Sequence, residues 1–507
     1  MTTKTPRRRA AASPASPWTA FSVLLLPLLL VSMDVSVLYF AIPEISQELH
    51  TTATQQLWIF DIYGFVLAGL LLTMGSLGDR IGRRKLLLIG AAAFGAASVL
   101  AAYAPSAEAL IAARALLGIG GATLMPSTLG LVRSLFTDAA QRAKAIGIWS
   151  GAMAGGIALG SVMSGLLLEH FWWGSVFLVN VPAMVLLLVV GPLLLPESRD
   201  PEAPSRFDLL SVPLSMATVL PAVYGLKKIA ADGFEPRHLL FLAAGLVFGI
   251  LFVHRQRTVP HAMISRALFA RRTFTTGIAL NTLVMFAMMG SAFFTTQYLQ
   301  SVLGRAPLEA ALWSLAPSLV IGGFAPAVAA LAQKTEKRYV IGGGFLLAAA
   351  GFALLSQAGT DSLLLVLAGA GVLGCGVVSV ASIVTDLALS ATPADKAGTA
   401  GSLLETGQEF GGALGMAVLG SVGTAAFQAG LPAGAPQTLG EAVAVPGLAD
   451  AARAAFVDGM AWASYTAIAV LLAGACLAFT LLRTRGQEPE REQEQEPRQE
   501  SAAEPVC

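Results

Sequence analysis

Apolar stretches long enough to cross a bilayer recur along almost the whole chain, at 20–41, 57–77, 85–103, 109–131, 144–167, 174–195, 207–226, 238–254, 274–299, 309–331, 339–357, 363–389, 400–427 and 460–482. A single span needs roughly 20 mainly apolar residues. Backbone polar groups in hydrocarbon must be satisfied inside their own segment, so each stretch is predicted to be a helix. Composition agrees. Hydrophobic residues make up 55% of 507 positions and charged residues 12%, against about 25% charged in soluble chains. So few charges cannot cover a water-facing surface, and a multi-pass protein of the plasma (inner) membrane is expected.

Cation placement sets the orientation, because Lys and Arg gather on the cytoplasmic side. With the N-terminus inside and loops alternating, most of the 32 Lys and Arg fall inside. The exceptions are Lys227, Lys228, Arg237, Arg305 and Arg453 outside, and Arg114 within a span. An odd number of spans would break this bias, so fourteen helices with both termini cytoplasmic are predicted. Three of the five external cations flank the segment 226–237, which makes spans 7 and 8 the least regular. The tail 1–19 is basic (Lys4, Arg7, Arg8, Arg9) but is not read as a signal peptide: no small-residue cleavage site follows it, and Asp34 interrupts the apolar run. Residues 428–459 are expected to form an external loop, and 486–507, dense in Glu, Gln, Arg and Pro, a disordered cytoplasmic tail. Cys375, Cys476 and Cys507 are too scattered for a disulfide framework or a metal site.

Between spans 2 and 3 lies Gly75-Ser-Leu-Gly78-Asp79-Arg80-Ile-Gly82-Arg83-Arg84-Lys85. Gly78 and Gly82 permit a tight turn and close helix approach, Asp79 can pair with cations or cap a helix N-terminus, and the basic run holds the loop in the cytosol. The ordered string resembles the loop signature of the major facilitator superfamily. Met33-Asp34-Val35 through Pro43 in span 1, Arg114 to Ala122 in span 4, and Gly151, Gly155, Gly156, Gly160 and Gly165 in span 5 resemble further motifs of that family. Together they resemble its fourteen-helix drug:proton antiporters of the quaternary-ammonium and multidrug type, over roughly residues 20–483. One position departs from the pattern: Ser161 stands where the antiporter motif carries proline. The resemblance implies an all-α major facilitator fold with two six-helix bundles, 20–203 and 259–485, separated by an inserted two-helix segment, 204–258. Gly75, Gly78, Asp79, Arg80, Gly82, Arg83, Gly156, Gly160 and Gly165 would then serve conformational change.

An ionisable side chain inside the bilayer is expensive and marks a functional site by default. Asp34, mid-span among apolar neighbours, is the expected proton carrier, with a structural ion pair as the alternative. Asp61, near the external end of span 2 with Trp58 and Tyr63, is either an external gate or a solvated helix-end charge. Glu405 and Glu409 are four apart in span 13 and share a face; like charges there repel, so one should hold a proton. Arg114 needs a carboxylate or carbonyl partner. Span 9 is crowded by Met285, Phe286, Met288, Met289, Phe293, Phe294 and Tyr298, either as lipid-facing surface or as a permissive pocket for cations. Tyr63, Trp149, Asn281 and Gln297 are the other pocket candidates.

No phosphate-binding loop, no His/Cys cluster with metal spacing and no soluble catalytic domain is legible. The chain is therefore read as no enzyme, without cofactor, metal or nucleic-acid partner, and as a monomer in the lipid bilayer. The expected function is proton-coupled export of lipophilic, cationic drugs or antibiotics. A dedicated exporter of one endogenous metabolite shares every motif, uptake by proton symport is permitted by the same acids, and a membrane-embedded enzyme or sensor lacks a catalytic constellation.

Overall fold

The computed structural model describes residues 16–136, 138–199, 208, 210–232, 235–259, 271–390 and 397–482. The basic tail and the 486–507 tail lie outside the described residues. Among the described residues fourteen long helices follow in order: α1 (Pro17–Leu49), α2 (Ala53–Ile81), α3 (Arg83–Ala102), α4 (Ala107–Leu135), α5 (Ala139–His170), α6 (Ser175–Leu194), α7 (Ser211–Asp232), α8 (Pro236–Thr258), α9 (Arg272–Gln297), α10 (Pro307–Lys334), α11 (Lys337–Leu355), α12 (Leu363–Ser390), α13 (Ala397–Ala429) and α14 (Ala449–Leu481). Thirteen are long and apolar enough to cross a membrane; α7, which carries Lys227 and Lys228, falls short of that measure.

Local sequence explains where the helices stop and start. Thr52 caps α2 through a reciprocal box: its hydroxyl accepts from the Gln55 amide at 3.2 Å, and its own amide donates to Gln55 Oε1 at 2.8 Å. Asp138 caps α5 by accepting from the Gln141 amide at 2.9 Å. α2 ends at Gly82, whose φ of +110° lies in a region that L side chains avoid, so the sharp turn into α3 requires glycine there. α9 runs on into one π turn, Tyr298–Val302.

α1 packs on α5, α2 and α3 on α4, and α6 on α3; α9 packs on α13, and α11 on α12 and α14. The α1–α5 contact depends on the glycine series. A Cβ at Gly160 would stand 2.8 Å from the Met33 carbonyl oxygen, and one at Gly156 3.0 Å from that of Leu29. Ser164 Oγ donates across the same contact to the Val37 carbonyl at 3.0 Å. Ser161 leaves α5 unbroken; its hydroxyl donates to the Ile157 carbonyl at 3.2 Å.

The two sets of helices meet at their outer ends. A Cβ at Gly165 of α5 would lie 2.7 Å from Leu308 Cα of α10, and one at Gly420 of α13 would lie 2.5 Å from Leu57 Cδ2 of α2. Toward the basic, inner side the same helices part: Cβ atoms at Gly151 and Gly155 of α5, Gly322 and Gly323 of α10 and Gly401 of α13 would meet nothing within 4 Å. At these positions the packing is close at one end of the helices and open at the end that carries the basic loops.

Two expectations are corrected. Lys227 and Lys228 are not in an external loop: α7 extends to Asp232, and Lys227 is fully buried. The segment 428–459 is also more ordered than a loop, with a short helix at Leu439–Ala444 and α14 beginning at Ala449. It sits on the outer end of α1, where Gln47 Nε2 donates to the Gly440 carbonyl at 3.3 Å.

Filling the α1–α5 contact tests this packing. Gly160→Val is expected to cost about 1–3 kcal/mol by overpacking, read as a lower Tm in detergent, whereas Gly155→Val, with open space at its Cβ, should hold the wild-type Tm. Equal Tm losses in both would contradict the packing described.

Candidate functional site

A cavity of ≈ 220 Å³ lies between the two sets of helices. Its walls come from α1 (Val31, Ser32, Val35, Tyr39), α2 (Phe60, Asp61, Tyr63, Gly64, Leu67), α4 (Arg114, Met125), α5 (Met153, Ile157), α9 (Met285, Met288, Met289) and α13 (Gln408, Glu409, Gly412, Ala413, Met416). Six methionines from four helices make part of this surface soft and adaptable. Flexible thioether side chains reshape around differently shaped apolar guests.

The acids around the cavity fall into two groups. Asp34, 4% exposed and behind the wall, pairs with the Arg114 guanidinium. Arg114 Nε also donates to the Ile59 carbonyl at 3.1 Å, and its guanidinium carbon lies 4.6 Å from the Tyr63 ring centre. Asp61 lines the cavity and pairs with Lys227 at 2.7 Å; neither side chain of this pair has exposed surface. Lys227 Nζ also stands 4.2 Å over the Trp58 ring. By contrast, no cation among the described residues pairs with Glu405 or Glu409 on α13. Glu409 is on the cavity wall, and Glu405 lies one turn nearer the inner end. A Glu405 carboxylate oxygen is buried without a hydrogen-bond partner. Hence two carboxylates on the α1–α6 side are each matched by a cation, and the two on α13 are not.

The other pocket candidates divide likewise. Tyr63 and Met285 reach the wall. Phe293 packs behind Phe60 at 5.5 Å between ring centres, and Phe294 packs between Phe293 and Phe456 at 5.2 and 5.8 Å. These two rings support the wall and do not form it. Phe286 is core, on the face of α9 turned to Gly415 of α13. Trp149 Nε1 donates to Thr128 Oγ1 at 3.2 Å and ties α5 to α4. Asn281 Nδ2 donates to the Leu404 carbonyl at 3.4 Å and ties α9 to α13. Gln297 is buried, and its Oε1 accepts from Ser301 Oγ at 3.5 Å. Sequence reasoning missed Lys227, Gln408, Tyr39, Met125, Met153 and Met416. For Lys227 a signal existed, since a cation on the wrong side of an otherwise consistent charge bias asks for a buried partner. The methionines carried none, because cavity-facing and core methionines look alike in one dimension.

At the inner surface the loop motif forms a latch. Asp79 pairs with Arg83. The Arg83 amide donates to the Ser198 carbonyl at 2.9 Å, the Arg84 amide to Glu197 Oε1 at 3.1 Å, and Arg84 Nη1 to the Leu195 carbonyl at 2.9 Å. The loop is thereby bound to the end of α6, and a Cβ on Gly82 would strike Glu197 Oε1 at 2.6 Å. Gly75 lies against Pro126 of α4 at 3.5 Å.

A helical bundle with a charged central cavity between two sets of helices is the architecture of a membrane transporter. Residues 24–416 match the Major Facilitator Superfamily, and the chain belongs to that family. The chain is 42% identical over 503 residues to the multidrug efflux pump LfrA of Mycolicibacterium smegmatis, covering 95% of this chain and 98% of that protein. It is 34% identical to the methyl viologen resistance protein SmvA of Salmonella typhimurium (87% and 93% covered) and 33% identical to the tetracenomycin C resistance and export protein of Streptomyces glaucescens (94% and 93% covered). Among solved structures, a bacterial homologue of the human lysosomal transporter Spinster, inward-facing and unoccupied, superposes with a TM-score of 0.64 at 17% identity, covering 93% of this chain and 98% of that one. The protein is a multi-pass protein of the plasma membrane.

The buried pair makes a sharp prediction. Removing one partner strands a charge, so Asp34→Asn and Arg114→Met should each cost about 3–5 kcal/mol, read as a fall in Tm. Asp34→Asn/Arg114→Met should recover most of that loss. Losses that simply add in the double variant would rule out the pairing.

Proposed function

We propose that this protein exports lipophilic, cationic drugs or antibiotics across the plasma membrane in exchange for protons. The observation that carries this reading is Glu409: an unmatched carboxylate on a methionine-lined cavity whose other acids are already neutralised. Such a group binds either a proton or an organic cation, and the two exclude each other. A cation entering from the inner side displaces the proton; after the cavity turns outward, a proton displaces the cation. Aromatic surfaces of Tyr39, Phe60 and Tyr63 add cation–π attraction, and the thioethers accept varied shapes. The relatives' names, a multidrug efflux pump and a methyl viologen resistance protein, support the same substrate class.

In this reading 20–203 and 259–485 are the two bodies that rock, and 204–258 is the inserted pair between them. Both termini are cytoplasmic, and the working unit is a monomer. Asp34 and Arg114 form a pair whose rearrangement with cavity opening couples the proton site to the switch. The glycines of α5 and the Asp79–Arg83 latch are the parts that slide and release. Glu405 relays protons between Glu409 and the inner side.

Export of ethidium from everted vesicles should collapse when an uncoupler dissipates the proton gradient and should persist without ATP when the gradient is imposed by a pH jump. Dependence on ATP itself would refute the antiport. Glu409→Gln should slow uphill cation export by about tenfold or more, since a desolvated charge contact is worth more than about 1.4 kcal/mol, and should slow neutral substrates less. Equal losses for both classes at matched membrane levels would instead indicate structural damage.

A further inference from the structure

The inserted helix α7 packs against both α2 and α13, with Val223 against Phe65, Ala413 and Ala417. It therefore covers the seam between the two sets of helices. From its last turns Lys227 reaches inward to Asp61, a residue of the cavity wall. The ammonium is held by the Asp61 carboxylate at 2.7 Å and the Trp58 ring face at 4.2 Å, and both lie on α2 three residues apart. A carboxylate beside an aromatic face is what an organic ammonium ion needs for binding. α7–α8 is itself braced at the other end, where Arg255 Nε donates to Asp208 Oδ1 at 2.9 Å and Gln256 Nε2 to Ser211 Oγ at 2.6 Å.

We propose that Trp58 and Asp61 form a second cation subsite of the export cavity, and that Lys227 is a tethered cation that occupies it, making Lys227 a specificity-determining residue. With the subsite filled from within, Glu409 is, among the described residues, the cavity acid left to meet a substrate charge, and single positive charges are favoured. A substrate with two positive charges gains a second carboxylate only if Lys227 is removed. The charges on the wall differ accordingly among three variants. Lys227→Met exposes Asp61 to the cavity, Asp61→Asn leaves the Lys227 ammonium unmatched beside it, and Asp61→Asn/Lys227→Met is neutral at the subsite, as is the native pair.

This inference rests on the cation-export reading above, and one experiment separates the two. Initial export rates of ethidium, with one positive charge, and methyl viologen, with two, are measured in everted vesicles at matched membrane levels. Lys227→Met should raise the methyl viologen to ethidium ratio about tenfold, the effect of roughly 1.4 kcal/mol at a desolvated charge. Asp61→Asn should depress ethidium export, and Asp61→Asn/Lys227→Met should restore it with the wild-type ratio. An unchanged ratio in Lys227→Met alongside active wild-type export overturns the subsite alone. Should Lys227→Met fail to accumulate, Asp61→Asn and the double variant decide: no recovery of ethidium export in the double variant overturns the proposal. Wild-type protein that exports neither cation overturns the function and the subsite together.

Discussion

Charge in hydrocarbon has to be matched, and that constraint organises the interior of this protein. A lone Arg114 or Asp34 could not persist among α1, α2 and α4, so each holds the other in place, and the Ile59 carbonyl takes a further guanidinium N–H. The pair draws α1 and α4 together, with Arg114 on the cavity wall and Asp34 behind it, and sets Tyr63 over the guanidinium. Asp61 and Lys227 repeat the solution one helix away and draw α7 against α2. What is left unmatched, Glu405 and Glu409, gains meaning by contrast: among the described residues no cation holds either acid, which sets this pair apart from Asp34 and Asp61.

Close packing on one side of the protein and open space on the other express the same economy in backbone. At one end α5 and α10, and α2 and α13, approach to where a Cβ would already be tight, while Gly151 and Gly155 of α5, Gly322 and Gly323 of α10 and Gly401 of α13 face nothing. A molecule that must open alternately to each side cannot seal both ends with strong contacts. Glycine surfaces hold helices together through many small van der Waals contacts, which can be exchanged for similar ones when helices slide. The latch of Arg83 and Arg84 on the end of α6 is polar and lies at the wet inner edge, where its hydrogen bonds can be traded for water at little net cost.

α7 and α8 differ in what they face. α8 presents much of its surface to the surroundings, with Leu240, Leu246 and Ile250 largely exposed, as a lipid-facing helix does. α7 is different: it packs into the seam and delivers a cation to a cavity acid. A helix too polar to pass as an ordinary span is polar because it faces inward to protein.

Membrane class, helical fold, the approximate span positions and the family were all legible in the sequence, because each depends on local composition or on short ordered strings such as Gly75 to Lys85. The residues of the site were legible in part. Asp34, Asp61, Arg114 and Glu409 stood out because any charge in an apolar run does, whatever it touches. Which charge answered which was not legible. Asp34 and Arg114 are 80 residues apart, Asp61 and Lys227 166, and pairing across such separations is decided only when helices pack. Likewise only the tertiary structure turned six scattered methionines toward one cavity while sending Phe286, Phe293 and Phe294 behind its wall. One-dimensional hydrophobicity reports that a side chain avoids water. Whether it does so against lipid, core or cavity depends on the rotation of each helix about its axis, which its neighbours set.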